Sequence, residues 1–169
     1  MAFKVITRFI LKFKIRRDNL TRKRKFISWD KVEKIALIIE KHNSLNKSAI
    51  DKLLEESKKY IEVFYIETDS KEHTFGDWNC FSKKDKSLLN LPKKFNLNEL
   101  TLKNFDIVIN TCDENNLFAT ALALSIQAQL KCGENKSFDL ADLIITKKQA
   151  DNLKNYLDDT FKYLRMIKA

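Results

Sequence analysis

The chain has 169 residues, of which 44% are hydrophobic, and its 32 Lys and Arg against 23 Asp and Glu give a net charge of +9. This length suits one domain with a substantial core, and the hydrophobic content excludes wholesale disorder. Two Gly exclude a glycine-rich phosphate loop, and three widely spaced Cys with two distant His exclude a closed zinc site.

The first 28 residues carry the whole net charge. They hold ten basic side chains and a single acid, Asp18, whereas the rest of the chain balances 22 basic against 22 acidic residues. Such asymmetry predicts an anionic partner for a basic N-terminal arm over residues 1–28. Arginine is concentrated there, and its planar group binds phosphate in a bidentate manner. The predicted anion-binding side chains are Arg8, Arg16, Arg17, Arg22, Lys23, Arg24 and Lys25.

Apolar side chains recur at helical spacing in the arm, at Phe3, Ile6, Ile10 and Phe13, with lysine and arginine between them. This pattern predicts a basic amphipathic helix. Three alternatives are open for it: packing on the domain, lying on an anionic membrane, and binding nucleic acid through residues 22–25. No run of about 20 apolar residues is present, and the odd, scattered Cys fit a reducing compartment. We therefore expect a cytoplasmic protein, with peripheral membrane association as the alternative.

Predicted strands and helices alternate along the rest of the chain. Buried or β-branched runs predict strands at 34–40, 61–68, 105–111, 131–136 and 141–146. Amphipathic spacing predicts helices at 46–60 and 148–168, and residues 69–98 show no regular pattern. Alternation of this kind implies right-handed β-α-β units. The sequence thus predicts one α/β domain over residues 29–169, Rossmann-like, with a mainly parallel sheet flanked by helices.

Residues 115–130 lack any charged side chain, although they are too short and too polar to span a membrane. Small residues among them would permit close backbone approach. This segment predicts a heavily buried helix or a subunit interface, and hence a homodimer through 115–130.

Ligands of open α/β sheets bind beyond the carboxyl ends of the strands. The polar side chains predicted at those ends form a possible ligand crevice, made of His42, Thr68, Asp69, Cys112, Asp113 and Asn115. Residues of these types also cap helices and form turns. They supply no set of nucleophile, base and orienting group. The sequence therefore predicts no catalytic residue, no metal and no cofactor.

Several short motifs occur in a recognisable order. They are the strand at 35–39, Trp78 with the stretch 81–85 (Phe-Ser-Lys-Lys-Asp), the strand at 106–110, Cys132-Gly133 and the strand at 142–145. In this the chain resembles a group of small bacterial proteins that share a domain of unknown function. The third predicted strand, its alanine-rich helix and Gly133 are also similar to one half of Rossmann-like glycosyltransferases. These resemblances imply an α/β fold and bring no catalytic residue with them.

The favoured function is a non-enzymatic binding protein whose arm contacts a polyanion, RNA or a ribonucleoprotein before DNA. The alternative is a peripheral membrane adaptor that docks on anionic lipid through the same arm. A third hypothesis is a small enzyme with its site at the strand ends, near His42 and Cys112.

Overall fold

The computed structural model describes residues 2–41, 47–67, 76–93, 103–113, 115–134, 139–146 and 152–168. Its six strands form one sheet in the order β3-β2-β1-β4-β5-β6, and every neighbouring pair is parallel. The strands are β1 (Lys34–Glu40), β2 (Tyr60–Ile66), β3 (Asn79–Phe81), β4 (Asn104–Asn110), β5 (Gln127–Gly133) and β6 (Leu143–Ile144). The predicted α/β class and parallel sheet are confirmed. The strand order reverses between β1 and β4, which is the topological switch point of a doubly wound sheet.

Helices cover both faces of the sheet. They are α1 (Ala2–Thr21), α2 (Lys47–Glu56), α3 (Leu117–Ser125) and α4 (Leu153–Met166). Successive strand residues point to opposite faces, so Ile38 of β1 packs with α1 and α3, whereas Leu37 packs with α2 and α4. Two apolar layers result, which explains why β1, β2 and β4 read as nearly continuous hydrophobic runs.

Several boundaries differ from the prediction, and two differences are large. The uncharged segment 115–130 holds only the short helix α3, because Gln127 and Gln129 are exposed between buried Ala128 and Leu130 and continue as β5. This strand pairs with β4 and begins four residues before the predicted 131–136. The second difference is β3, which lies inside the stretch predicted to be irregular and has only three residues, too few to show a period.

The predicted homodimer through 115–130 stays a prediction, but the packing of α3 gives another reason for the missing charges. Every side chain from Leu117 to Ala123 is buried within a single chain. The helix α1 lies directly against α3 and covers it. The uncharged face is therefore explained by contacts inside the chain.

The helix α1 docks through a narrow stripe of Thr7, Leu11 and Ile15, each 2% exposed or less. Their spacing of four residues places them along one side of the helix. The Thr7 hydroxyl lies 2.7 Å from the Leu89 carbonyl oxygen, which joins α1 to the loop that follows β3. Most of the predicted arm thus lies against the domain, whereas the division at residues 28 and 29 stays a prediction.

Candidate functional site

A buried cluster of four charges anchors the end of α1. The Arg22 guanidinium donates to both carboxylate oxygens of Asp142, at 2.7 and 2.9 Å, and its Nε donates to Asp18 at 3.0 Å. The Lys131 ammonium lies 3.3 Å from the same Asp18 carboxylate. The guanidinium of Arg22, one of the predicted anion-binding side chains, is thus held by two carboxylates of its own chain, and the anion-binding role of the set stays a prediction.

Burial affects the proton affinity of this cluster. Desolvation lowers the pKa of Lys131 from 10.5 to about 8, although the nearby Asp18 carboxylate acts in the opposite direction. In the unfolded chain the pKa of a lysine is about 10.4. Between these two values the unfolded chain binds more protons than the folded chain, so the free energy of unfolding rises with pH. Below about pH 8 both states keep the proton, and the full cost of burying the charge is present.

We therefore expect Lys131 to add about 1 kcal/mol to stability as the pH rises from about 7 to about 9. The measurement is urea denaturation of the wild type and of Lys131→Met at both pH values. Burial also raises the pKa of Cys132 and Tyr156, which lowers the free energy of unfolding at alkaline pH. Both proteins keep these two groups, so subtracting one stability profile from the other removes their contribution. Parallel stability profiles for the two proteins would contradict the prediction.

The other basic residues of the arm face solvent to different degrees. Arg16, Arg17, Lys23 and Lys25 are exposed. Arg24 is 45% exposed and still reaches Asp142, its Nε lying 3.2 Å from one carboxylate oxygen. In contrast, Arg8 is half-buried and donates a hydrogen bond of 2.6 Å to the side-chain oxygen of Asn115.

The outward side of α1 is apolar. On a helix of 3.6 residues per turn, Phe9 and Phe13 lie opposite the buried Leu11 and Ile15. Phe9 is 75% exposed and Phe13 is 68% exposed. We call this surface the outward face of α1, and it consists of Val5, Ile6, Phe9, Phe13 and Leu20.

Cations border the outward face on both sides. Helical geometry places Lys12 along one border and Arg17 along the other, whereas Arg16 lies nearly in line with Phe9 on the face itself, and all three cations are exposed. Contiguous apolar surface rimmed by polar residues is typical of protein or membrane contacts. The sequence pattern singled out Phe3, Ile6, Ile10 and Phe13, whereas α1 packs on the core through the narrow stripe of Thr7, Leu11 and Ile15.

At the switch point, side-chain hydrogen bonds join the end of β1 to the segment that precedes α3. The Glu40 carboxylate, at the end of β1, accepts hydrogen bonds from the Asp113 backbone N–H at 3.1 Å and from the Asn116 amide at 2.6 Å. The Asn116 side-chain oxygen in turn caps α3 by accepting from the Ala119 N–H at 3.0 Å. Sequence reasoning missed Glu40, since nothing in its neighbours signals a partner more than 70 residues away.

Three of the predicted crevice residues, Cys112, Asp113 and Asn115, lie together at this point. His42, Thr68 and Asp69 lie outside the described residues. Cys112 is only 1% exposed, and its Sγ lies 3.9 Å from the Ile38 carbonyl oxygen. The hydrogen bonds described in this region form caps and turns, since the Cys112 backbone N–H donates to the Asn110 side-chain oxygen and the Asn115 N–H donates to the Asp113 carboxylate.

Within the described ranges, no cluster of three His, Cys, Asp or Glu side chains is placed to hold a metal ion. Across the same residues, no helix combines the length and the apolar content that crossing a membrane needs.

The strand order and the crossover helices define a doubly wound α/β protein. The chain belongs to a family of unknown function, DUF6913, which matches residues 5–167. The match includes nearly all of α1 together with the whole sheet. No curated protein and no solved structure matches the chain. The predicted resemblance to proteins that share a domain of unknown function is confirmed, and membership assigns no activity.

Proposed function

We propose that the protein is a non-enzymatic binding protein that lies on an anionic phospholipid surface through the outward face of α1. One observation carries the proposal: the helix docks through a narrow stripe and leaves a broader apolar surface, bordered by cations, in solvent. Helices that lie in a membrane interface combine these two properties, since the apolar side enters the acyl boundary and the cations meet lipid phosphates.

The magnitudes favour binding. Moving one large apolar side chain out of water is worth about 1.5–3 kcal/mol, and each Lys or Arg near an anionic surface adds about 1 kcal/mol. Phe9 and Phe13 alone would supply several kcal/mol, with Arg16 and Arg17 adding to it. Residues 29–169 carry no net charge, so attraction to an anionic surface would orient the molecule with the basic arm, and α1 within it, toward the lipid.

RNA is the second candidate, and a different observation favours it. Lys23, Arg24 and Lys25 are exposed, and the adjacent Phe26 is 49% exposed. A ring beside cations can stack on a base while the cations contact phosphates. This candidate gives no role to the outward face of α1, which is why we rank it second.

Sedimentation of the full chain with vesicles tests the proposal. We expect binding to phosphatidylcholine vesicles that contain phosphatidylglycerol, weaker binding to phosphatidylcholine alone, and loss of the difference in high salt. Protein that stays in the supernatant with both vesicle types would overturn the proposal. Nuclease-sensitive ultraviolet absorbance in the purified protein, reduced by Lys23→Gln with Lys25→Gln, would instead support the RNA candidate.

The remaining expectations have less support. A site at the strand ends would need Cys112 or its neighbours to meet a substrate, and the thiol is buried beneath the loop that Glu40 holds. The half-domain similarity to glycosyltransferases, the bacterial origin and the cytoplasmic location stay predictions.

A further inference from the structure

A cavity of about 630 Å³ lies beside α1, between that helix, α3 and residues 87–93. Its volume is within the range of small-molecule sites, roughly 300–1,000 Å³. Its apolar wall comes from all three segments: Leu11 of α1, Ala121 and Leu124 of α3, and Leu91 and Pro92 of the loop.

Cations line the same cavity. Lys14 and Arg17 come from α1 and Lys93 from the loop, and all three are exposed. The one acid in the lining is Asp18, whose carboxylate is already held by Arg22 at 3.0 Å and Lys131 at 3.3 Å. The free charge at the cavity is therefore positive, although its wall is apolar.

We propose that this cavity holds the acyl chain of a single anionic lipid, with the phosphate of the headgroup bound by Lys14, Arg17 and Lys93. The inference rests on the proposed function, because α1 would bring the cavity to the bilayer from which the lipid enters. Helical geometry supports the placement: Lys14 and Arg17 lie between the buried stripe of α1 and its outward face. The apolar wall would contact the acyl chain of the lipid, and the three cations would pair with its phosphate.

The test uses the full chain and soluble probes without any bilayer. Titration calorimetry with monomeric myristoyl-lysophosphatidylglycerol should give one-to-one binding. The phosphatidylcholine analogue of the same chain length should bind about tenfold more weakly, since its headgroup has no net charge. Glycerol 3-phosphate should not bind, because it lacks the chain. Binding of glycerol 3-phosphate as tight as that of the lipid, or no binding of the lipid, would overturn the proposal.

Two variants locate the site. Ala121→Met should fill the cavity from α3 and abolish lipid binding, and its unfolding transition shows whether it still folds. Lys93→Gln should weaken lipid binding about tenfold and leave folding intact, with Lys83→Gln, at an exposed lysine outside the cavity lining, as the matched control. Equal affinity of both glutamine variants would overturn the assigned headgroup contact.

Vesicle sedimentation of the same variants separates the two proposals. Ala121→Met and Lys93→Gln should sediment with anionic vesicles almost as well as the wild type, since neither residue belongs to the outward face. A chain that binds the monomeric lipid but no vesicle would overturn the membrane proposal alone. A chain that binds vesicles but no monomeric lipid would overturn the cavity proposal alone.

Discussion

Replacing Asp142 with alanine is expected to lower the free energy of unfolding by about 3–5 kcal/mol, the range for breaking a buried ion pair from one side. The Asp142 carboxylate is 5% exposed and accepts from both terminal nitrogens of Arg22. It also accepts from the Lys131 backbone N–H at 2.9 Å. The substitution leaves a buried guanidinium with only Asp18 to balance it, beside an already buried ammonium. Urea denaturation at neutral pH measures the loss.

The matched control is Asp158→Ala on α4. That carboxylate pairs with Lys154 at 3.0 Å, and both side chains are more than 40% exposed. Exposed pairs of this kind contribute about 0.3–0.5 kcal/mol. Equal losses for the two alanine variants would mean that the buried cluster does not anchor α1. Adding Arg22→Leu to Asp142→Ala should recover part of the stability, because the stranded charge is removed along with its partner.

The double substitution Phe9→Ala and Phe13→Ala is expected to weaken binding to anionic vesicles by about 100-fold, or about 3 kcal/mol. Both rings lie mostly in solvent, so their loss removes little from the core, and the unfolding transition should hardly change. Sedimentation over a range of lipid concentrations measures the change in partitioning.

The control is a second double alanine variant, at two large exposed side chains on the opposite side of the molecule. Tyr163 and Met166 of α4 are 51% and 66% exposed, and α4 covers the opposite face of the sheet. Tyr163→Ala with Met166→Ala should leave vesicle binding unchanged. If both double variants lost binding equally, the effect would report general hydrophobicity and would count against α1 as the docking element.

The fold could be predicted where the residues of a strand form a recognisable pattern by themselves. The strands β1, β2 and β4 are buried on both faces, so their apolar runs are long enough to read. Alternation with amphipathic helices then implies the parallel sheet. By contrast, β3 has three residues, and β5 follows α3 directly with no charged residue before Lys131 to separate helix from strand.

The candidate site depends on contacts that the sequence hides. Arg22 and Asp142 are 120 residues apart in the sequence. An arginine within a basic run therefore does not indicate that it pairs with a carboxylate of its own chain. Apolar residues occur on both sides of α1, and only packing against α3 shows that Leu11 and Ile15 are inside and Phe9 and Phe13 outside.

Docking through α1 is tested most directly by depth measurement in a bilayer. An environment-sensitive fluorophore is attached at Phe9→Cys in a chain that also carries Cys80→Ser, because Cys80 is exposed and the other two cysteines are buried. We predict a blue shift on adding anionic vesicles, together with quenching by lipids brominated in their acyl chains. The same fluorophore at Tyr163→Cys should show neither. A probe at position 9 that stays in water while the protein is on the vesicle would contradict docking through the outward face of α1.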